Sequence, residues 1–170
     1  IILVTGAGRG IGREAAKAYA AAGATVILLG RNLRDLEQTY DSIVDNDLPT
    51  PVIFPLDLAT AGLEQYTEMA KAIDEEFCKL DGILHNAGML GDLTPIELYS
   101  PGKWQEVIQV NLNAPFLITK LCLPLLKKAM RASIVFTTSH FPGEGLAYWG
   151  AYSVAKDGII GFMRVLDRKS

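Results

Sequence analysis

The stretch Ile1-Ile2-Leu3-Val4-Thr5-Gly6-Ala7-Gly8-Arg9-Gly10-Ile11-Gly12 decides the fold. An apolar run ends at Thr5, glycines crowd residues 6–12, and an amphipathic pattern continues over 11–22. That order predicts a strand, a tight turn and a helix. Glycine permits the turn and lets a ligand approach the backbone. The unpaired N–H groups and dipole of a helix's first turn then attract a pyrophosphate. The GxGxxG template fails, because Ile11 stands where its third glycine belongs; TGxxxGxG fits, through Gly6, Gly10 and Gly12. A strand-to-helix turn without a ligand has the same composition, so the loop alone does not settle binding.

The same alternation repeats outward. Apolar runs over 25–29, 52–54, 82–85 and 133–138 alternate with helical patterns over 33–44, 63–78, a long segment between 103 and 130, and 151–166. Five strands joined by helical crossovers run parallel, because each right-handed crossover returns the chain to the same end of the sheet. The expectation is an α/β protein with a doubly wound parallel sheet, residues 1–170 forming one domain. Ligands bind outside the carboxyl ends of such strands, so Thr5, Gly30, Asp57, Asn86 and Ser139 are expected to converge there. Pro49, Pro51 and Pro55 bracket a strand rather than a linker, and no internal repeat interrupts the pattern.

The 170 residues are 49% hydrophobic and 21% charged, as a sheet buried on both faces requires. Sixteen Lys and Arg against nineteen Asp and Glu give a net charge of -3 with no polybasic run, which argues against nucleic acid as a partner. Cys78 and Cys122 form no CxxC pair, so neither a disulfide framework nor a zinc site is expected, and both read as buried packing residues. Lys120 interrupts the longest apolar stretch, so no membrane span is expected and the protein reads as cytoplasmic. The chain opens on an apolar run without an initiator methionine and stops soon after residue 166, so it reads as a piece of a longer protein.

Tyr152 and Lys156 stand four apart and share a helix face. Ser139, thirteen residues before Tyr152, ends a strand; Asn111 lies in Val110-Asn111-Leu112, and His85-Asn86-Ala87-Gly88 follows the fourth strand. Together with TGxxxGxG, these motifs resemble the short-chain dehydrogenase/reductase family over essentially the whole chain. The stretches GATVILLGRN (23–32), LDGILHNAGMLGD (80–92) and WGAYSVAK (149–156) look most like one bacterial branch of it. The resemblance implies a Rossmann-type sheet ordered 3-2-1-4-5. It also implies two family strands beyond the fifth that have no counterpart here, which would leave 133–138 as an open edge.

The resemblance further implies hydride transfer between a nicotinamide cofactor and a small carbonyl or alcohol substrate, in a homo-oligomer and without a metal. It assigns Ser139, Tyr152, Lys156 and Asn111 to catalysis. Tyr152 would carry the proton; its ordinary pKa near 10 is too high for a base at neutrality, and the Lys156 ammonium together with an oxidised nicotinamide would favour the phenolate. Ser139 would donate to the substrate oxygen, Lys156 would hold the nicotinamide ribose, and Asn111 would hold a water linking Lys156 to solvent. The cofactor would lie against Thr5, Gly6, Arg9, Gly10, Ile11, Gly12, Arg31, Asp57, Leu58, Asn86, Ala87 and Gly88, besides Tyr152 and Lys156.

An NAD site places a carboxylate at the end of the second strand; here Gly30 stands there, followed by Arg31. Arg31 and Arg9 suit a ribose 2′-phosphate, which favours NADP(H) over NAD(H). The other readings are that Arg31 solvates a loop and that Asp35 turns toward the ribose. Asp57 reads as an adenine contact or a helix cap, and His85 as a residue that shapes its loop. Ala155 replaces the family's usual serine before the lysine, and His140-Phe141-Pro142 replace small residues after Ser139. Tyr148 and Trp149 suit either a hydrophobic substrate site or core packing. A nucleotide-binding module without turnover is the competing reading.

Overall fold

The computed structural model describes residues 1–139 and 145–168. The segment His140-Phe141-Pro142 singled out above lies outside the described residues. Five parallel strands, β1 (Ile2–Thr5), β2 (Val26–Gly30), β3 (Val52–Pro55), β4 (Gly82–His85) and β5 (Ser133–Phe136), form one sheet in the order β3-β2-β1-β4-β5. Leu3 pairs with Ile27 on one side and with Ile83 on the other.

Alternation along the strands builds two cores. Leu3, Ile27, Leu29 and Ile83 point into a cluster with Met69, Ile73, Ile118 and Cys122, from α3 (Leu63–Phe77) and α5 (Ala114–Leu126). Val4, Val26, Leu28 and Leu84 point the other way, against Ala16, Ala20, Leu36 and Ile43, from α1 (Gly10–Ala21) and α2 (Leu33–Val44). With both faces covered, the strands are continuously apolar, and each fully buried Leu or Ile contributes about 1.5–3 kcal/mol.

The long segment between 103 and 130 resolves into α4 (Pro101–Ile108), a π-helical turn at Gln109–Asn113, and α5. Ser100 caps α4 by accepting from the Lys103 N–H at 3.5 Å, and Pro101 fits the first helical turn, which needs no N–H. The last helix, α6 (Gly150–Asp167), packs on α4 and on the π turn. β5 ends two residues earlier than the sequence suggests, although the Thr137 N–H still donates to the His85 carbonyl at 2.9 Å.

One cysteine departs from expectation. Cys122 is buried in α5, and burial pushes its thiol up to about 12. Cys78 is exposed, because it ends α3 in the left-handed conformation at φ 59° and so turns out of the helix. Among the described residues, no helix is long and apolar enough to cross a membrane.

Candidate active site

A cleft of about 340 Å³ opens at the carboxyl edge of the sheet. Gly6, Gly8 and Arg9 line it from the glycine loop, Gly30, Arg31, Asn32 and Asp35 from the β2–α2 junction, Asp57 and Leu58 after β3, and Asn86, Ala87 and Gly88 after β4. The topology explains the convergence: β1 lies between β2 and β4, and the chain leaves in opposite directions on its two sides. Arg9 and Arg31 therefore face one space from two walls.

The glycine loop is pinned from behind. Gly6 has φ 68°, and a Cβ on Gly12 would lie 2.2 Å from the Gly6 carbonyl oxygen, so both positions exclude a side chain. The Ala7 N–H donates to Leu29, and the Ala7 carbonyl accepts from the Thr39 hydroxyl at 3.0 Å. The Gly8 carbonyl accepts from Arg13 Nε at 2.9 Å. Arg9, at the N-cap of α1, makes no side-chain cap, and the first turn holds no acidic residue, which leaves its N–H groups suited to an anion.

Thr5, Gly10, Ile11 and Gly12 stand outside the cleft wall. The Thr5 hydroxyl donates to the Leu84 carbonyl at 3.4 Å and accepts the N–H groups of Asn86 and Ala87, each at 3.0 Å. It braces the β4 turn. Ile11 is exposed, and Gly12 is the close-packing point beneath Gly6. Asp57 lines the cleft and accepts from the Ala59 N–H at 3.0 Å in a turn ahead of α3, but the helix-cap role expected of it falls to Gly62, the N-cap of α3, because four residues of turn separate Asp57 from the helix start. His85 is a packing residue: it is stacked on Phe136 at 4.8 Å, joined to the Thr119 hydroxyl at 2.9 Å, and burial lowers its pKa to about 3.

α6 presents Tyr152 and Lys156 together, with the Lys156 ammonium 5.6 Å from the Tyr152 ring centre. Lys156 is buried and donates to the Thr137 carbonyl at 2.7 Å, and desolvation lowers its pKa to about 8. Burial also raises the pKa of the Tyr152 phenol. The cause is desolvation, which disfavours the charged phenolate. Ala155, where the family usually has serine, is fully buried under the helix. Ser139 follows the end of β5 by three residues and is half-buried.

The π turn places Asn111 opposite this pair. Asn111 Oδ1 accepts from the Met89 N–H at 3.3 Å, and its Nδ2 donates to the carbonyls of Met89 and Val107, both at 2.8 Å. A Cβ on Gly88 would lie 2.9 Å from Asn111 Oδ1 and 3.7 Å from Lys156 Nζ, so these three residues meet. Sequence reasoning missed Thr39, Arg13 and Thr137. Thr39 left a signal, a lone hydroxyl on the apolar stripe of Leu36 and Ile43; Arg13 and Thr137 act through backbone carbonyls, which leave none.

The whole chain, residues 1–170, matches the family model for short chain dehydrogenase. The chain belongs to the short chain dehydrogenase family. It is 49% identical over 166 residues to the uncharacterized oxidoreductase YciK of Escherichia coli K12, covering 98% of this chain and 66% of that protein. It thus spans just under two thirds of that relative's length. A short chain dehydrogenase structure from Pseudomonas syringae superposes with a TM-score of 0.96 at 46% identity, over 99% of this chain and 68% of that one. A short chain dehydrogenase from Shigella flexneri 2a, complexed with NADP, gives a TM-score of 0.95 at 48% identity over 99% and 70% of the two chains.

Proposed function

We propose that the protein is an NADP(H)-dependent oxidoreductase that interconverts a carbonyl and an alcohol, with Tyr152 moving the proton. The observation that carries this reading is the joint placement of Tyr152 and Lys156 on α6, with Lys156 Nζ held by Thr137 where β5 ends. When bound, the cofactor supplies or accepts the hydride. The first turn of α1 suits its pyrophosphate, and Arg9 and Arg31, on facing walls, suit a 2′-phosphate. The NADP complex of the Shigella relative supports the same cofactor. Asp35 lines the same wall, as a ribose ligand would.

Tyr152 gives its proton to the carbonyl oxygen as the hydride arrives, or takes it back in the reverse direction. Lys156, still largely protonated at neutral pH, stabilises the resulting phenolate. Ser139 donates to the substrate oxygen, while Asn111 fixes the turn after β4 and supports a water beside Lys156. The exposed apolar residues Val154 and Val165, eleven apart and so on one face of α6, fit a surface on which two copies meet.

The test is NADPH oxidation by the full-length protein across a carbonyl panel, with Tyr152→Phe alongside. The variant should keep its NADPH affinity and lose about a hundredfold or more in kcat. Fluorescence titration should show NADPH binding about tenfold or more tighter than NADH, and Arg31→Asp should erase the difference. NADPH binding with no turnover on any carbonyl would instead identify a nucleotide-binding module.

A further inference from the structure

Residues 145–150 cross residues 90–99 beside the reacting tyrosine, and Tyr148 in that crossing has a backbone that its side chain disfavours. Its φ is 70°. In this left-handed region a Cβ crowds the following carbonyl, which is why glycine or asparagine normally stands there. The Tyr148 carbonyl accepts from the Thr94 N–H at 3.2 Å, so the contact between the two segments holds the conformation in place. Burial does not offset the strain, because Tyr148 is 59% exposed. Among the described residues the ring is therefore not part of a core. An aromatic ring held in a costly conformation and left in solvent contributes little to folding, and such strain clusters where ligands are met.

The surroundings say which ligand. Trp149 follows directly, and its ring meets Tyr152 edge-to-face at 5.7 Å. Across the crossing run residues 89–94, between Met89, which packs like Tyr152 against the cluster of Tyr99, Val107 and Ala151, and Thr94, which holds Tyr148. Leu90 and Leu93 are exposed in that stretch. Its one carboxylate, Asp92, lies in the field of Lys103 on α4. Exposed apolar side chains thus stand on both of the segments that the Thr94–Tyr148 hydrogen bond joins, and such a surface beside Tyr152 suits a flat apolar group.

We infer that the substrate bears its carbonyl or carbinol on an aromatic ring, and that Tyr148 selects for it. This rests on the carbonyl-reductase reading above. With benzaldehyde, the carbonyl carbon takes the hydride of NADPH and the oxygen takes the Tyr152 proton. The products are benzyl alcohol and NADP⁺, and a solvent proton restores the phenol.

Steady-state kinetics of the full-length protein with NADPH tests it, comparing benzaldehyde and acetophenone with acetaldehyde and acetone. The wild type should favour the aryl substrates by about tenfold or more in kcat/KM. Tyr148→Asn, which suits φ 70°, should lower that preference about tenfold through KM while Tm holds or rises. Tyr148→Gly should behave alike, and Tyr148→Phe should keep the preference. A purely structural tyrosine gives the opposite signature, a lower Tm with parallel losses on all substrates. That outcome, a wild type without aryl preference, or a preference that survives Tyr148→Asn overturns the inference and leaves the reductase reading standing. No turnover with any carbonyl overturns both.

Discussion

Lys156 carries a cost in the fold that pH can relieve. Its folded pKa of about 8 lies below its ordinary value of 10.5, and it is 5% exposed. Between those values the unfolded chain holds a proton that the folded protein has released, so stability gains as pH rises from about 8 to 10.5. Below pH 8 both states are protonated, and the cost is fully present. At 1.36 kcal/mol per unit the change is about 3 kcal/mol. Lys156→Met has no such proton. In urea unfolding, the stability difference between wild type and variant should therefore move by about 3 kcal/mol in favour of the wild type between pH 7 and pH 10.5. A difference that ignores pH would show that Lys156 keeps its proton throughout.

At the scale of elements, the π turn matters most. It widens the helix by one residue, so that Asn111 turns inward and ties Met89 to Val107 with three hydrogen bonds. Asn111→Leu strands three backbone groups at once and should cost about 2–4 kcal/mol, read as a lower urea midpoint with an unchanged slope. Loss of less than about 1 kcal/mol would mean that water replaces the amide there. This turn was not legible in the sequence, because residues 107–126 are so apolar that a one-residue shift in period leaves no mark. The strands were legible, since two buried faces demand unbroken apolar runs such as 26–29. Most cleft residues were legible too, from Gly6 and Arg9 through Arg31 and Asp57 to Asn86 and Gly88, because topology alone brings loop ends together. Thr5 and Gly12 were found for the right place but work from behind the wall.

At the scale of the whole sheet, β5 pairs with β4, and among the described residues with no other strand along its outer edge. A polypeptide of residues 1–170 alone presents that edge, with Val135 46% exposed, to any chain that can hydrogen-bond to it. Light scattering should show concentration-dependent association of this polypeptide, and Val135→Lys should reduce it. A monodisperse solution at high concentration would show that the edge is protected by other means. The two thiols described above sit in opposite situations, and together they make the protein its own stopwatch. A thiol reagent reaches Cys78 at once, which fixes the reagent's activity within the same tube. Cys122, on the buried face of α5, reacts when the core opens, so its delay against Cys78 times the opening of the sheet's inner face with no residue changed.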